Sequence, residues 1–343
     1  MMLFLNILIY FFIVKCSKEN TKIQDNSSKK MKIISDYNNI KNNSKRNLQT
    51  TEFKPIRIII DTSQLEYSLL ASQYNDIEII LNSINRAKEA IQAIINVEPL
   101  QKKIKLEYND KQKLNGFETE RMNQSIVNGE NDCDLLIFVR TPISTDGSIS
   151  SDYYRFAIPK IIKNDPETKR PIVGYIIYNQ LFQFKIDSII YAEQKKEIIS
   201  SIFLHEIIHI LGFMKESFNK FKNPDIFETV NITRIPGGII KKVVKSQNII
   251  NLAKKYFNCE SISGIELENQ NNPEDLEFSH WEGRILLGDI MTSDIYYQDQ
   301  VISEFTLALL EESGWYKANY YTGGLMKFGK NKGCSFLSFL KLK

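Results

Sequence analysis

Histidine, cysteine and surplus charge are all scarce in this sequence. Its 343 residues include three histidines and four cysteines, and 44 basic residues nearly balance 41 acidic ones. Hydrophobic residues make up 43% of the chain and charged residues 25%, which excludes an intrinsically disordered or collagen-like protein. The same composition excludes a polytopic membrane protein, and the chain is long enough to bury a large core.

The small excess of positive charge lies near the N-terminus. Residues 1–50 contain nine basic and three acidic residues, which leaves 35 basic and 38 acidic residues in 51–343. That part of the chain therefore carries a net charge of −3. Because nucleic-acid binding requires a concentration of positive charge, we expect no nucleic-acid partner.

The first residues are typical of a targeting segment. Residues 1–14 form an apolar run well short of the roughly 20 residues that span a bilayer. Val14 and Cys16 are small enough for a signal-peptidase site, so we expect a signal peptide over residues 1–16 and a secreted or cell-surface protein. An apolar N-terminal helix or an uncleaved anchor is the alternative. Residues 17–52, rich in Asn, Ser and Lys, are predicted to form a linker or pro-segment.

The cysteines do not form a recognisable metal-binding pattern. Their spacing is wide and irregular, unlike that of a zinc knuckle. Removal of Cys16 with a signal peptide would leave Cys133, Cys259 and Cys334, and three cysteines cannot all pair within one chain. The sequence therefore predicts a leftover thiol or a missing partner, and it does not reveal which cysteines pair.

Apolar periodicity predicts alternating strands and helices between residues 55 and 211. The predicted order is a strand, a long helix, further strands and a second long helix, which is a mixed arrangement of α and β elements. The first long helix is expected to end before Pro99. The predicted strands are Pro55–Asp61, Ile104–Tyr108, Leu135–Val139 and Ile172–Tyr178, and the predicted helices are Asp76–Val97 and Ile189–Leu211.

The second predicted helix contains the motif His205-Glu206-Ile-Ile-His209-Ile-Leu-Gly212. Residues four apart lie one turn apart on one helix face, so the two histidines can bind one ion. Neutral imidazole is a good zinc ligand, and a catalytic zinc site needs a third protein ligand and a water, from which Glu206 is placed to take a proton. The alternative, two hydrogen-bonded core histidines, still requires a shared partner for the pair. Gly212 is expected to let the backbone turn away where the helix ends.

The third ligand must come from elsewhere in the chain. In the metzincin string H-E-x-x-H-x-x-G-x-x-H, the third histidine takes the position that Lys215 occupies here, and a protonated lysine cannot bind a metal. His280 is the one histidine left, and Met291 follows it by eleven residues. That spacing favours a Met-turn, a hydrophobic floor beneath the metal, over a methionine that fills the core. We therefore predict one Zn²⁺ ion held by His205, His209 and His280.

These motifs resemble those of the leishmanolysin family of zinc metallopeptidases. The similarity extends over roughly residues 55–336 and comprises the helix motif, His280-Trp281-Glu282, Asp289-Ile-Met291, a helix-like stretch at Thr306–Tyr316 and the segment Phe328–Cys334. The resemblance implies a zincin-like α+β fold, in which a mixed β-sheet, a long helix and an active-site helix are followed by a Met-turn subdomain. It also implies one zinc ion, extracellular or cell-surface cleavage of proteins or peptides, and in some members cell adhesion and membrane-surface association.

The resemblance also divides the chain. Residues 53–213 would form the N-terminal catalytic subdomain, residues 214–320 the insertion with the third ligand, the Met-turn and the following helix, and residues 321–343 the start of a C-terminal region. Family members usually continue into a cysteine-rich region, whereas this chain ends soon after Cys334. We therefore expect either a truncated C-terminal region or a true short form, and a missing partner for one cysteine.

Two other functions remain open at this point. One is a different zinc-peptidase clan, with Glu228 as a carboxylate ligand 19 residues after His209. The other is a non-catalytic adhesion or binding protein that keeps zinc for structure, although such a site does not need Glu206. The strand Ile172–Tyr178 is either a sheet edge that pairs with an extended substrate or an ordinary core strand.

Overall fold

The chain divides into two units, Met1–Thr51 and Glu52–Lys343. We describe a computed structural model, in which the second unit accounts for all the described residues: 52–66, 77–114, 120, 122–129, 132–142, 157–179, 192–232, 239–269, 278–293, 300–320 and 325–339. The predicted signal peptide, and the predicted linker except for its last residue, lie outside these residues. The predicted subdomain boundaries at 213 and 320 stay predictions.

The described residues form an α+β structure, which confirms the predicted mixture of helices and strands. The strands are β1 (Lys54–Pro55), β2 (Ile58–Asp61), β3 (Ile95–Val97), β4 (Leu135–Arg140), β5 (Ala157–Asn164), β6 (Pro171–Tyr178), β7 (Phe227–Ile232), β8 (Ile239–Val244), β9 (Ile265–Leu267) and β10 (Tyr316–Ala318). The helices are α1 (Ile77–Ile94), α2 (Tyr108–Lys113), α3 (Gln124–Val127), α4 (Ala192–Leu211), α5 (Lys215–Phe218), α6 (Gln247–Phe257), α7 (Gly283–Leu286), α8 (Glu304–Glu312) and α9 (Gly333–Phe339), with a 3₁₀ turn at Pro224–Ile226.

A four-stranded sheet in the order β2-β4-β6-β5 forms the centre of the structure. Strands β2, β4 and β6 are parallel and β5 is antiparallel to β6. Every residue of β4 and β6 is buried, as is usual for strands covered on both faces. The suggestion that Ile172–Tyr178 lies at a sheet edge is therefore wrong, because β6 pairs with β4 on one side and with β5 on the other.

Three local predictions differ from the structure because tertiary contacts override the sequence pattern. The predicted strand Pro55–Asp61 is two strands in different sheets, with Pro55 in β1 and Ile58–Asp61 forming β2. Helix α1 ends at Ile94, and residues 95–97 form β3, which pairs with β1 and β10 in a second sheet. The segment Ile104–Tyr108 is not a strand. Ile104 and Leu106 are buried against a hydrophobic cluster, which explains their alternation with polar residues, while Tyr108 is 75% exposed and begins α2.

Helix α4, which carries the histidine pair, packs against α1 on one side of the central sheet. Its close approach to the sheet depends on Gly174 in β6. A Cβ at that position would lie 2.7 Å from the Cγ2 of Ile210 in α4 and 2.9 Å from the carbonyl oxygen of Lys160 in β5. An alanine would therefore push α4 away from the sheet.

The C-terminal part of the described chain adds a third sheet, β7-β8-β9, and the helices α6 and α8, which contact each other. A disulfide joins Cys259, just after α6, to Cys334 in α9. The thiol of Cys133 is outside that bond and buried, and burial raises its pKa to about 12. Among the described residues, two of the three cysteines predicted to remain thus pair with each other.

One helical stretch of the described residues, Gln194–Phe218, is long and apolar enough to cross a membrane. It contains the histidine pair, and 67% of its most apolar window is buried inside the protein. Core helices of globular proteins have the same properties, so this stretch is weak support for a membrane span.

Candidate metal centre

The three histidines of the chain meet at one point. The Nε2 atoms of His205 and His209 lie 2.9 Å apart, and each lies 3.2 Å from the Nε2 atom of His280. The first two come from adjacent turns of α4, as predicted from their spacing. His280 joins them from a position 71 residues after His209 in the chain.

The other ring nitrogen of each α4 histidine faces a backbone carbonyl. Nδ1 of His205 lies 2.6 Å from the oxygen of Ile290, and Nδ1 of His209 lies 2.8 Å from the oxygen of Phe213. A carbonyl oxygen can only accept a hydrogen bond, so each Nδ1 carries the proton and each Nε2 presents a lone pair. Two lone pairs at 2.9 Å repel each other unless a cation lies between them.

The spacing fits a tetrahedral zinc ion. Zinc–nitrogen bonds of about 2.0–2.1 Å at tetrahedral angles place neighbouring ligand nitrogens about 3.3 Å apart. The observed separations of 2.9–3.2 Å are close to that value. The donor set is three imidazoles, two of which donate their outward Nδ1 protons to backbone carbonyls, and it is one that zinc prefers.

Burial keeps the first histidine neutral. His205 is 2% exposed, and desolvation lowers its pKa to about 4 although its hydrogen bond to the Ile290 carbonyl acts in the opposite direction. A neutral imidazole is the form that binds metal ions, so this group needs no deprotonation near neutral pH. Glu206, the next residue in α4, is also buried, at 3% exposure.

The end of helix α4 positions the acceptor of His209. The helix ends at Leu211, and Gly212 follows with a φ of 130°, in the region that favours glycine. A side chain there would also meet Trp315, whose Cζ3 atom would lie 2.8 Å from the added Cβ. The turn brings the Phe213 carbonyl back over the last helical turn, where it accepts the proton of His209 Nδ1.

A short turn over residues 289–292 positions the acceptor of His205. The carboxylate of Asp289 accepts hydrogen bonds from the Met291 backbone N–H, at 2.6 Å, and from the backbone N–H and hydroxyl of Ser303. The Thr292 N–H and hydroxyl both donate to the Asp289 carbonyl. These bonds fix Ile290 between them, so its carbonyl oxygen is held against His205.

Asp289 and Met291, which the sequence placed in a Met-turn, are both fully buried. The Thr306 hydroxyl lies 2.8 and 2.9 Å from the two oxygens of Asp289 and accepts a hydrogen bond from the indole N–H of Trp281 at 2.9 Å. Trp281 follows His280 directly and its backbone N–H donates to the Met291 carbonyl. The turn and the segment that carries the third imidazole are therefore joined by side chains and backbone.

Several contacts of this centre were not predicted from the sequence. Glu268 lies 3.5 Å from Nδ1 of His280 and accepts a hydrogen bond from the hydroxyl of Ser293. No motif marks Glu268, which follows β9 and precedes His280 by twelve residues. The alternation of polar residues with Ile265 and Leu267 indicates a half-buried strand. It does not indicate that Glu268 lies next to His280.

Glu228, the alternative third zinc ligand, is not part of this group of histidines. It lies in β7, where it forms an ion pair with Lys245. Among the described residues, the group of metal-binding side chains that converges on one point consists of His205, His209 and His280. Lys215 begins α5, and its backbone N–H lies 3.4 Å from the Ser279 hydroxyl oxygen.

Comparison with known proteins finds a family and several relatives that this chain resembles. Residues 21–341 match the sequence profile of the leishmanolysin family. The chain is 32% identical over 200 residues to the leishmanolysin-like peptidase of Drosophila melanogaster, a match that covers 49% of this chain and 28% of that relative. It is 32% identical over 138 residues to the ciliated left-right organizer metallopeptidase of Danio rerio, covering 39% and 22%.

A third relative is the leishmanolysin homolog of Crithidia fasciculata, which is 28% identical over 181 residues, covering 52% of this chain and 24% of the relative. The matched part thus spans about a quarter of the length of these curated relatives. The family profile nevertheless covers most of this chain. This chain belongs to the leishmanolysin family.

Proposed function

We propose that this protein is a zinc-dependent endopeptidase that hydrolyses protein or peptide substrates outside the cell or at its surface. The observation that carries the proposal is the convergence of three imidazole Nε2 atoms within 3.2 Å, two of them on a helix in which the buried Glu206 directly follows His205. His205, His209 and His280 would hold one Zn²⁺ ion, and Met291 would lie in a Met-turn of a zincin-like fold. The names of the relatives support peptidase chemistry.

The bound ion would supply positive charge that acidifies an attacking water and polarises the scissile carbonyl. Glu206 would take the proton from that water and pass it to the leaving amine. Glu206 directly follows His205 in α4 and is buried, as a proton acceptor close to a metal-bound water would be. The outward Nδ1–H bonds of His205 and His209 hold both rings so that their lone pairs face inward.

An extended substrate requires a strand with which its backbone can pair. Strand β6 is internal, so we assign this role to β5, the last strand of the described central sheet, which runs antiparallel to β6 and packs against α4. Only Ala157 and Ile162 of its eight residues are buried, as expected of a strand at the side of a sheet.

The test combines metal analysis with a proteolysis assay on the purified protein. We expect one zinc per chain, hydrolysis of casein, and loss of hydrolysis on addition of a chelator. Glu206→Gln should bind zinc as wild type does and lose nearly all hydrolysis, whereas His205→Ala should lose zinc. Glu197→Gln, which changes an exposed carboxylate on the same helix, should retain both zinc and hydrolysis.

Equal hydrolysis by wild type and Glu206→Gln would overturn the catalytic assignment. Stoichiometric zinc without hydrolysis of any protein substrate would favour the alternative, a non-catalytic adhesion or binding protein with a structural zinc site. A wild-type protein that binds no zinc would exclude both.

A further inference from the structure

The three imidazoles differ in the group that faces their outer nitrogen. Nδ1 of His205 and Nδ1 of His209 face neutral backbone carbonyls, whereas Nδ1 of His280 lies 3.5 Å from a carboxylate oxygen of Glu268. Since Nε2 of His280 points at the other two imidazoles, its Nδ1 is the nitrogen that carries the proton. That nitrogen therefore lies within ion-pair distance of a carboxylate.

Glu268 is itself held in place. Its second carboxylate oxygen accepts a hydrogen bond of 2.7 Å from the Ser293 hydroxyl, and its backbone N–H donates to the His280 carbonyl at 2.9 Å. An isolated bridge between Leu267 and Trp281 fixes the register of the two segments beside this pair. The carboxylate and the imidazole it faces are therefore tied together through both backbone and side chain.

A negative charge close to His280 would favour zinc binding at this site. Three neutral imidazoles leave the two positive charges of a zinc ion uncompensated by its protein ligands. A carboxylate behind a ligating histidine fixes the tautomer, orients the ring and makes the ligand nitrogen more basic. His280 also needs such support more than the other two, because they share the rigid helix α4 whereas His280 lies outside any helix or extended strand.

We propose that Glu268 is a positioning residue that holds His280 as the third zinc ligand and strengthens zinc binding. This inference rests on the proposed function, since it assumes that the three histidines bind zinc. It adds that the affinity of the site is set in part by a carboxylate twelve residues before the third ligand, with Ser293 as its support.

The test measures zinc dissociation constants of the purified protein by competition with a chromophoric chelator, with zinc as the only added metal. Glu268→Gln keeps the size of the side chain and removes its charge, and it should weaken zinc binding by about 10–100-fold. Ser293→Ala, which removes the support, should give a dissociation constant between those of wild type and Glu268→Gln. The unfolding free energy of the zinc-free protein is measured in parallel.

Glu266→Gln provides a matched control. Glu266 lies two residues earlier in the same segment, has a similarly shielded carboxylate and pairs with Lys241 and Arg284 instead of a histidine. We expect this variant to bind zinc as tightly as wild type. A positioning role is supported when zinc affinity falls in Glu268→Gln, zinc-free stability stays close to wild type and the control is unaffected.

The inference is overturned if Glu268→Gln binds zinc like wild type, or if Glu266→Gln loses as much affinity as Glu268→Gln. If Glu268→Gln does not fold, Ser293→Ala decides, and wild-type affinity in that variant overturns the inference. A failure of the proposed function looks different, because wild type itself would then bind no zinc or would bind it equally after His205→Ala.

Discussion

The Nδ1 atom of His205 lies 2.6 Å from the carbonyl oxygen of Ile290, 85 residues further along the chain. This contact makes the orientation of a candidate ligand in α4 depend on the turn over residues 289–292. Asp289 holds that turn through the Met291 N–H and through Ser303 and Thr306. A change that loosens the turn is therefore expected to affect both the stability of the fold and the binding of zinc.

Thr306→Val tests this connection. The Thr306 hydroxyl donates to Asp289 and accepts from the Trp281 indole, and all three groups are buried. Valine has nearly the same shape but leaves the indole N–H and the carboxylate each without one partner, which should lower the free energy of unfolding by about 2–4 kcal/mol. Denaturant unfolding of the zinc-free protein measures this loss.

Thr306→Ser retains the hydroxyl and serves as the control, so it should recover most of the stability. Zinc affinity should follow the same order, wild type and Thr306→Ser above Thr306→Val. Equal stability of the two variants would show that the hydroxyl does not hold the turn.

The stability of the zinc-free protein should depend on pH through two buried groups that act in opposite directions. The pKa of His205 is lowered from 6.5 to about 4, so only the unfolded chain binds a proton between these values, and stability from this group is lost as pH falls from 6.5 to 4. Burial raises the pKa of Asp289 from 3.8 to about 6, so the folded chain binds the extra proton, and stability from this group falls as pH rises through that window.

Each shift of about two units corresponds to about 3 kcal/mol, so the two effects largely cancel in wild type. Asp289→Asn should expose the His205 contribution, with stability rising from pH 4 to 6.5. His205→Asn should expose the opposite trend. Denaturant unfolding at several pH values measures both slopes, and identical slopes in the two variants would contradict the assignment.

Much of the site could be predicted because its geometry is local. The four-residue spacing of His205 and His209 places them on one helix face whatever surrounds the helix. The third imidazole could be named only because the chain has so few histidines, and the structure brings His280 to the other two. Whether these residues bind zinc and whether Glu206 acts in catalysis remain predictions.

The features that could not be predicted from the sequence depend on contacts between distant segments, and no local sequence pattern indicates such contacts. The apolar run of β6 is the same for an internal strand as for a buried edge, so its position next to β5 could not be read from it. The helical periodicity of α1 continues into residues 95–97, where hydrogen bonds to β1 and β10 form a strand instead. The residues between Glu268 and His280 form no motif, so the contact between these two residues could not be predicted.

Lys242 offers a test of how the His280 segment is held. Its Nζ atom lies 5.6–5.7 Å from the ring centroids of Phe218, Phe227 and Phe278. Phe278 precedes His280 by two residues and has a φ of 43°, an unfavourable conformation for a bulky residue. We infer that the cation–π contacts help to keep Phe278 in this conformation.

Lys242→Met retains the apolar stem and removes the cation, and it should lower the free energy of unfolding by about 1–2 kcal/mol. Lys242→Arg keeps a cation that can lie over the rings and should lose less. Denaturant unfolding compares the two, and an equal loss in both variants would assign the effect to packing alone.

Gly212→Ala tests the end of helix α4. The φ of 130° at this position is strained for alanine, and the new methyl group would lie 2.8 Å from Trp315 Cζ3. We expect the free energy of unfolding to fall by about 2–3 kcal/mol. Because the Phe213 carbonyl that follows accepts the His209 proton, zinc affinity should fall as well.

Gly283→Ala is the matched control, since a Cβ at that position meets nothing within 4 Å and the backbone has no positive φ. It should leave both unfolding free energy and zinc affinity near the wild-type values. Thermal or denaturant unfolding and chelator competition measure the two quantities on the same preparations. If Gly212→Ala lost stability but bound zinc as tightly as wild type, the helix end would support the fold without orienting His209, and the proposed link between this turn and the metal centre would be wrong.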